Sequence, residues 1–254
     1  MNPAATLKPD YGNWVSTRLL YLFGALTLVP LALVLIHPAL GMVAAPFFLC
    51  FAYFAYARYL LSPRGGNLQA RIQEMLLDHL DWDGIGAGID IGCGSAALTV
   101  AVAKKYPRAR VIGVDNWGAA WEYSKGVCER NAEIERVSER TIFQRASAAA
   151  LPFEDSTFEA AFSNLVFHEV HQVQDKKALI QEALRVVKKG GSFAFQDLFL
   201  WKRVYGDPED LLATVRGWDV EEVRLVPTCN LKFIPKVLKL PFMLGTIGIL
   251  AGKK

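Results

Sequence analysis

The sequence predicts an α/β fold, an open sheet with helices on both faces, preceded by two apolar helices. Three observations predict it. Residues 88–115 run through an apolar stretch, a glycine turn, a helical repeat and a second apolar stretch closed by Asp115, the order of a strand–turn–helix–strand unit. From residue 142 onward, short strand-like runs keep alternating with helix-like ones, the pattern of a sheet covered by helices. Between Arg18 and Arg58 there is no Lys, Arg, Asp or Glu, so the first 61 residues obey a different physics from the rest.

In chain order, residues 19–36 form one apolar run, His37-Pro38-Ala39-Leu40-Gly41 is a turn signal, and residues 42–61 form a second run. At 1.5 Å per residue, helices of about 19–36 and 42–61 cross or nearly cross a hydrocarbon core of about 30 Å. Residues 1–61 are therefore expected to be a membrane-anchoring hairpin and residues 62–254 a separate domain. Lys8, Arg18, Arg58, Arg64 and Arg71 lie on the outer flanks and the turn has no Lys or Arg, which places both ends and the following domain on the cytoplasmic side. A re-entrant hairpin kinked at Pro30, Pro38 and Pro46 stays open. A cleaved signal peptide leaves the second run unexplained, and a buried soluble pair needs more covering protein than the chain offers. Tyr53, Tyr56 and Tyr59 beside Arg58 suit a headgroup boundary. Residues 62–67 are a turn-rich linker and residues 68–80 an amphipathic helix.

The glycine turn narrows the ligand. Gly92, Gly94 and Ala97 fit a dinucleotide fingerprint with Asp115 about 20 residues on, and an acid there can accept both hydroxyls of a ribose. Asp90, two residues before the first glycine, sets negative charge toward any pyrophosphate and favours a cationic ligand instead. Ser95 is placed to cap the next helix.

These residues carry a resemblance. Asp90-Ile91-Gly92-Cys93-Gly94, the strand ending at Asp115, Leu151-Pro152-Phe153 with Asp155 and Phe158, Phe162-Ser163-Asn164, and the run 182–191 resemble, in order and spacing, the class I S-adenosylmethionine-dependent methyltransferases. The resemblance covers residues 68–254 and implies a Rossmann-like, seven-stranded methyltransferase sheet whose last strand runs antiparallel beside the sixth. It also implies S-adenosyl-L-methionine as cofactor, held by Asp90, Gly92, Cys93, Gly94, Asp115, Asn116, Trp117, Ser147, Ala148 and Asn164. Two positions depart from the family pattern: Ala96 stands for its usual third glycine, and Ser147 for the acid after its third strand. Trp117 follows the ribose acid closely enough to stack on an adenine, with plain packing the other reading.

Beyond Asp115 the expected elements are a helix over 118–136, strands over 142–145 and 159–164, a helix over 175–188 stopped by Gly190-Gly191, and a strand over 192–196. A helix starting at Asp207-Pro208 and strands over 220–226 and 246–251 complete the series. His168, Glu169 and His171 follow the carboxyl end of the fourth strand, where open α/β sheets bind ligands, and are the acid/base candidates, with Asp197 at the end of the fifth strand beside them. A neutral imidazole can take a proton as a methyl group arrives. The spacing His-Glu-Val-His is not that of a zinc helix, so no metal is expected.

Composition excludes other classes. Lys and Arg number 28 against 25 Asp and Glu, and no basic run is interleaved with aromatics, so nucleic acid is not an expected partner. Cys50, Cys93, Cys128 and Cys229 show no paired spacing, which suits a reducing compartment. Lys232, Lys236 and Lys239 stand among apolar residues between the last two strands, a pattern that suits an anionic leaflet or, equally, packing on its own sheet. The expected function is methyl transfer to a small lipophilic acceptor beside membrane lipids. A non-catalytic cofactor-binding membrane subunit and an NADP-dependent reductase are the rivals. Oligomeric state leaves no mark on the sequence.

Overall fold

In a computed structural model, residues 8–118 and 123–254 are described. The chain divides into two units, Gly12–Arg71 and a larger one of Met1–Tyr11 with Ile72–Lys254.

The smaller unit holds α1 (Thr17–Ala32) and α2 (Leu40–Leu61). Ser16 caps α1, its side chain accepting from the Arg18 N–H at 3.2 Å. The two helices pack on each other, with Phe23 and Phe54 stacked at 5.5 Å. The expected bounds of the first helix, 19–36, are corrected here: α1 is 16 residues, about 24 Å long, and ends two residues past Pro30. Proline lacks the N–H that would continue the ladder, and Pro38 bars the residue before it from helical backbone, so the chain between them turns. Among the described residues only α2, with 22 residues and mean hydropathy 1.8, is long and apolar enough to cross a membrane. Only 11% of that stretch is buried, unlike the core helix of a soluble protein.

The larger unit is built on seven strands: β1 (Gly86–Ile91), β2 (Ala109–Asp115), β3 (Thr141–Arg145), β4 (Phe158–Asn164), β5 (Val187–Asp197), β6 (Glu222–Pro227) and β7 (Gly248–Lys253). Their order is β3-β2-β1-β4-β5-β7-β6. β1 to β5 are parallel, and β7 runs antiparallel between β5 and β6, as the resemblance implies. The order reverses between β1 and β4, which opens a crevice at the carboxyl ends of the strands.

α3 (Leu68–Asp78), α4 (Ala97–Lys105) and α5 (Lys125–Ile134) contribute Leu76, Leu98, Val102, Cys128 and Ala132 to a core against Phe143, Phe162, Ala194 and Ile249. Strand residues alternate sides, so Ala161, Phe193, Phe195 and Leu250, all 0% exposed, face away from that cluster. α6 (Lys177–Arg185) and α8 (Pro208–Arg216) border β5 and β6, and the single turn α7 (Lys202–Tyr205) precedes α8. Asp207 caps α8 by accepting from the Glu209 N–H at 3.0 Å, with Pro208 in the first turn, as expected.

Three local expectations are corrected. The helix expected over 118–136 is α5 alone; residues 119–122 of it lie outside the described residues. Gly190-Gly191 does not stop a helix: α6 ends at Arg185 and the glycines sit inside β5, where register slips from Phe158↔Val187 to Ala160↔Ser192. Gly190 has φ +74, the conformation that lets a strand bulge. Ser95 does not cap α4; the cap position is Ala96 at φ 68, and the Ser95 hydroxyl instead donates to the Tyr11 carbonyl at 2.8 Å.

Candidate active site

Five strands deliver their carboxyl ends to one edge, and the site is built from the segment after each. After β1, Gly92 and Gly94 take φ +75 and +56, and the turn is tied to β2 by Gly92 and Cys93 N–H bonds to the Val114 carbonyl at 2.7 and 3.0 Å. A side chain at Gly92 would stand 2.2 Å from Val166, so this glycine is required by the protein's own packing. Asp115, ending β2, accepts the Gly94 N–H on Oδ2 at 2.9 Å and the Trp117 N–H on Oδ1 at 2.6 Å. The Trp117 indole N–H donates back to the Gly94 carbonyl at 2.9 Å, and the Cys128 thiol donates to the same carbonyl at 3.1 Å. The end of β3 joins through the Ala146 N–H, 3.0 Å from the Asp115 carbonyl. That bond sets Ser147 and Ala148 next to the acid. The Ser147 hydroxyl reaches Gln172 at 3.3 Å, and Asn116 is exposed.

Two of the expected cofactor residues face inward. Asp90 is 1% exposed and its Oδ2 accepts the Thr99 hydroxyl of α4 at 2.6 Å. Burial, assisted by the charge of Asp115 and opposed by Thr99, pushes its pKa to about 7. Cys93 packs on β2, where a side chain at Gly113 would stand 3.0 Å from its sulfur, and burial beside Cys128 pushes its thiol well up. Only the Cys93 backbone is left for a ligand.

After β4 the chain turns at Leu165, φ 58, into a short 3-10 turn, Phe167–Glu169. Asp197, 0% exposed at the end of β5, is the hub here. Its Oδ2 accepts the N–H groups of Val166, Phe167 and His168 at 3.1, 2.8 and 3.4 Å, and its Oδ1 accepts that of Leu198 at 2.6 Å. Oδ1 also lies 2.7 Å from His168 Nδ1. A carboxylate at Nδ1 assigns the proton there and makes Nε2 the nitrogen that can accept one. Burial alone would lower the His168 pKa, but the charge and hydrogen bond of Asp197 outweigh it and the net shift is upward. Asp197 is itself held low, since His168 and the surrounding donors outweigh its burial. Tyr205 stands close enough to Asp197 for burial and that charge to keep its hydroxyl protonated, with no hydrogen bond of normal geometry between them.

The structure thus joins His168 to Asp197 and sets Glu169 Oε1 at 3.8 Å from His168 Nε2, while His171 is exposed. Asn164 and Gln196 are register partners at the ends of β4 and β5. The Asn164 Oδ1 and both amide atoms of Gln196 are buried without a partner.

Sequence reasoning missed Thr99 and Tyr205, which lack motif or periodicity. It also missed the segment before α1: Asp10 donates its N–H to Asn131 Oδ1 at 2.8 Å, and Asn131 Nδ2 donates to the Asp10 and Ser95 carbonyls at 2.8 and 2.9 Å. The one available signal was a buried-helix Asn in α5, a residue that seeks backbone partners.

Comparison with known proteins agrees with this layout. A family model described as a methyltransferase domain matches residues 89–195. A ubiquinone/menaquinone biosynthesis C-methyltransferase of Desulfotalea psychrophila is 30% identical over 108 residues, 42% of this chain and 39% of that one. The match spans about a third to a half of the curated relatives' length. Among solved structures, geranyl diphosphate C-methyltransferase of Streptomyces coelicolor, in complex with Mg2+, geranyl diphosphate and S-adenosyl-L-homocysteine, superposes with TM-score 0.56 at 17% identity, over 75% of this chain and 80% of that one. The [4+2]-cyclase SpnF superposes with TM-score 0.55 at 16% identity, over 74% and 83%. At such identities the solved structures speak for the fold alone. Residues 89–195 match the methyltransferase-domain model, and they lie on a seven-stranded sheet in the order β3-β2-β1-β4-β5-β7-β6.

Proposed function

We propose that this chain is an S-adenosylmethionine-dependent methyltransferase acting on a small lipophilic acceptor, anchored in a membrane with its catalytic unit on the cytoplasmic side. The observation that carries the reading is Asp115 bonded across the Gly92–Gly94 turn at the switch point of the sheet. The residues present suit the cofactor. Gly94, left-handed at φ +56, leaves backbone open to close approach, each Asp115 oxygen keeps a lone pair for a ribose hydroxyl, and the unpartnered Asn164 Oδ1 supplies an acceptor for an ammonium. Ser147, Ala148 and Asn116 border the purine end, and Trp117 closes the turn.

When bound, the cofactor supplies a methyl group on a cationic sulfur. His168 Nε2 would receive the proton released by the acceptor's hydroxyl, amine or ring carbon, while Asp197 holds the imidazole tautomer and stabilises the imidazolium that forms. An acceptor already deprotonated needs only orientation by the same edge. Anchoring is supported by the length and apolarity of α2 and by basic residues on both flanks of the apolar region. A lipophilic acceptor is the substrate class that the tether suits.

The second reading, a cofactor-binding membrane subunit without catalysis, is favoured by Ala96 and Ser147, and the same fold carries a [4+2]-cyclase in SpnF. An NADP-dependent reductase is opposed by Asp90 behind the turn.

Membranes containing the protein, given methyl-labelled S-adenosylmethionine and extracted with organic solvent, test the reading against an Asp115→Ala control. Asp115-dependent label in the organic phase is expected. Label in the aqueous phase would overturn the lipophilic acceptor alone. Cofactor binding without transfer to any membrane component would favour the subunit. Asp115→Ala should weaken cofactor binding by about 1.5 to 3 kcal/mol, the loss of a charged hydrogen bond, measured by calorimetry; unchanged affinity would remove the central assignment.

A further inference from the structure

After Glu222 the chain has no Asp or Glu, yet it has Arg224, Lys232, Lys236, Lys239, Lys253 and Lys254. Half of that charge lies in the connection between β6 and β7, residues 228–247. Topology fixes where the connection sits. β6 and β5 are both antiparallel to β7, so β6 runs parallel to β1–β5 and its carboxyl end lies on the edge that carries the site. Gly248, where the connection re-enters the sheet, is the register partner of Asp197, and the Leu200 N–H bonds the Thr246 carbonyl at 3.0 Å.

The connection is two-sided. Ile234, Leu238, Leu244 and Ile247 are buried, and the Leu244 N–H to Leu238 and Gly245 N–H to Leu240 bonds, 3.0 and 2.9 Å, hold its fold. The sequence alternative of a loop that packs its apolar residues inward is therefore met only in part. Leu231, Leu240 and Phe242 remain 37%, 38% and 49% exposed beside Lys232 and Lys236, which are exposed, and half-buried Lys239. Among the described residues, none of these three lysines enters an ion pair.

Exposed leucine and phenylalanine set among unpaired lysines is the composition of an interfacial membrane contact: the apolar side chains enter the acyl boundary while the ammonium groups meet anionic headgroups. A second copy of the chain is a poor fit, because a two-fold pairing would face lysines with lysines. We propose that the β6–β7 connection is a membrane contact in its own right, separate from α2, and that it seats the His168–Asp197 edge of the sheet on an anionic leaflet. The proposal stands on this loop and not on methyl transfer.

Full-length protein with Cys50→Ser and Phe242→Cys, spin-labelled at 242, is reconstituted in vesicles of phosphatidylcholine alone or with phosphatidylglycerol. Accessibility of the label to oxygen and to a water-soluble relaxing agent is then measured. A label at Ile142→Cys, exposed on the far edge strand β3, serves as control. The label at 242 should move from water to lipid when phosphatidylglycerol is present while that at 142 stays in water. Each of Lys232→Gln, Lys236→Gln and Lys239→Gln should shift this equilibrium back by about fivefold at low salt. A label at 242 that stays in water with phosphatidylglycerol would overturn the proposal. So would burial indifferent to lipid charge and to the lysine substitutions, or spin–spin broadening, which would put a second copy on the patch. Because no arm reads methyl transfer, an inactive enzyme leaves the outcome intact.

Discussion

The two halves of the site edge are held by different means. The half after β1 to β3, which we propose as the cofactor half, is fixed by backbone: two left-handed glycines, N–H bonds to Val114 and one carboxylate that bonds the turn. The half after β4 and β5, proposed as the acceptor half, is fixed by one buried carboxylate that gathers four backbone N–H groups and an imidazole. A ligand common to a whole family is suited to a backbone cradle, which changes little with sequence. An acceptor-specific region is suited to side chains that one substitution can retune. The halves meet at Gly92 and Val166, where a methyl group on the glycine would collide.

The largest effect should therefore come from the hub. Asp197→Ala strips a 0%-exposed carboxylate from four N–H donors and one ring nitrogen, and should lower stability by about 3 to 5 kcal/mol, seen in denaturant unfolding. A loss below about 1 kcal/mol, the size of one ordinary hydrogen bond, would mean that the acceptor half does not depend on this residue. His168→Gln spares the backbone bonds to Asp197 and should separate chemistry from scaffold: transfer falls by about 10²- to 10⁴-fold while cofactor affinity holds. Because Asp197 raises the pKa of His168, the active neutral form gains with rising pH, and the wild-type rate should climb through a pH above the ordinary histidine value. An unchanged rate in the variant would leave orientation as the whole of catalysis.

This division also explains what was legible in the sequence. Gly92, Gly94 and Asp115 stand within one local unit, so their spacing announced the strand–turn–helix–strand unit, while the ligand class came from Asp90 and the family resemblance. α2 was equally plain, because a membrane-length apolar run is a local property. Asp197 and His168 are 29 positions apart, and nothing local distinguishes a buried hub acid from a surface loop acid; both were named, but their pairing came from the adjacency of β4 and β5. Thr99 behind Asp90 and Asp10 on Asn131 are tertiary contacts with no periodic signal. Pro38 stood in the turn signal from the start, and the shortening of α1 was written in Pro30, two residues before its end.

Asp90 gives a pH test of the cofactor half. Its folded pKa of about 7 lies above the ordinary 3.8, so the folded state keeps a proton that the unfolded chain releases. Stability contributed by this group is present at low pH and is lost as pH rises from about 4 toward 7, with a slope of at most about 1.4 kcal/mol per pH unit. Asp90→Asn should flatten that slope in pH-dependent unfolding. A cation bound near Asp90 favours the ionised form, so cofactor affinity should tighten as pH rises through 7 in the wild type and not in the variant. Identical slopes in the two proteins would show that Asp90 does not titrate between the folded and unfolded states in this range.

The smallest effect is the sharpest test of a cradle made by backbone. Ala96 has φ 68 and is 0% exposed, at the position where the resembled family has glycine. Holding an L residue in left-handed backbone costs about 1 to 2 kcal/mol, which Ala96→Gly would recover. Against this stand the burial of one methyl group, about 0.8 kcal/mol, and the extra freedom glycine brings to the unfolded chain, about 0.4 to 1 kcal/mol. These terms offset each other, so Ala96→Gly should alter unfolding free energy by less than about 1 kcal/mol and leave cofactor affinity as it was. A loss of cofactor affinity would show that the methyl group at Ala96 shapes the turn, and the cofactor half would then depend on side chains as the acceptor half does.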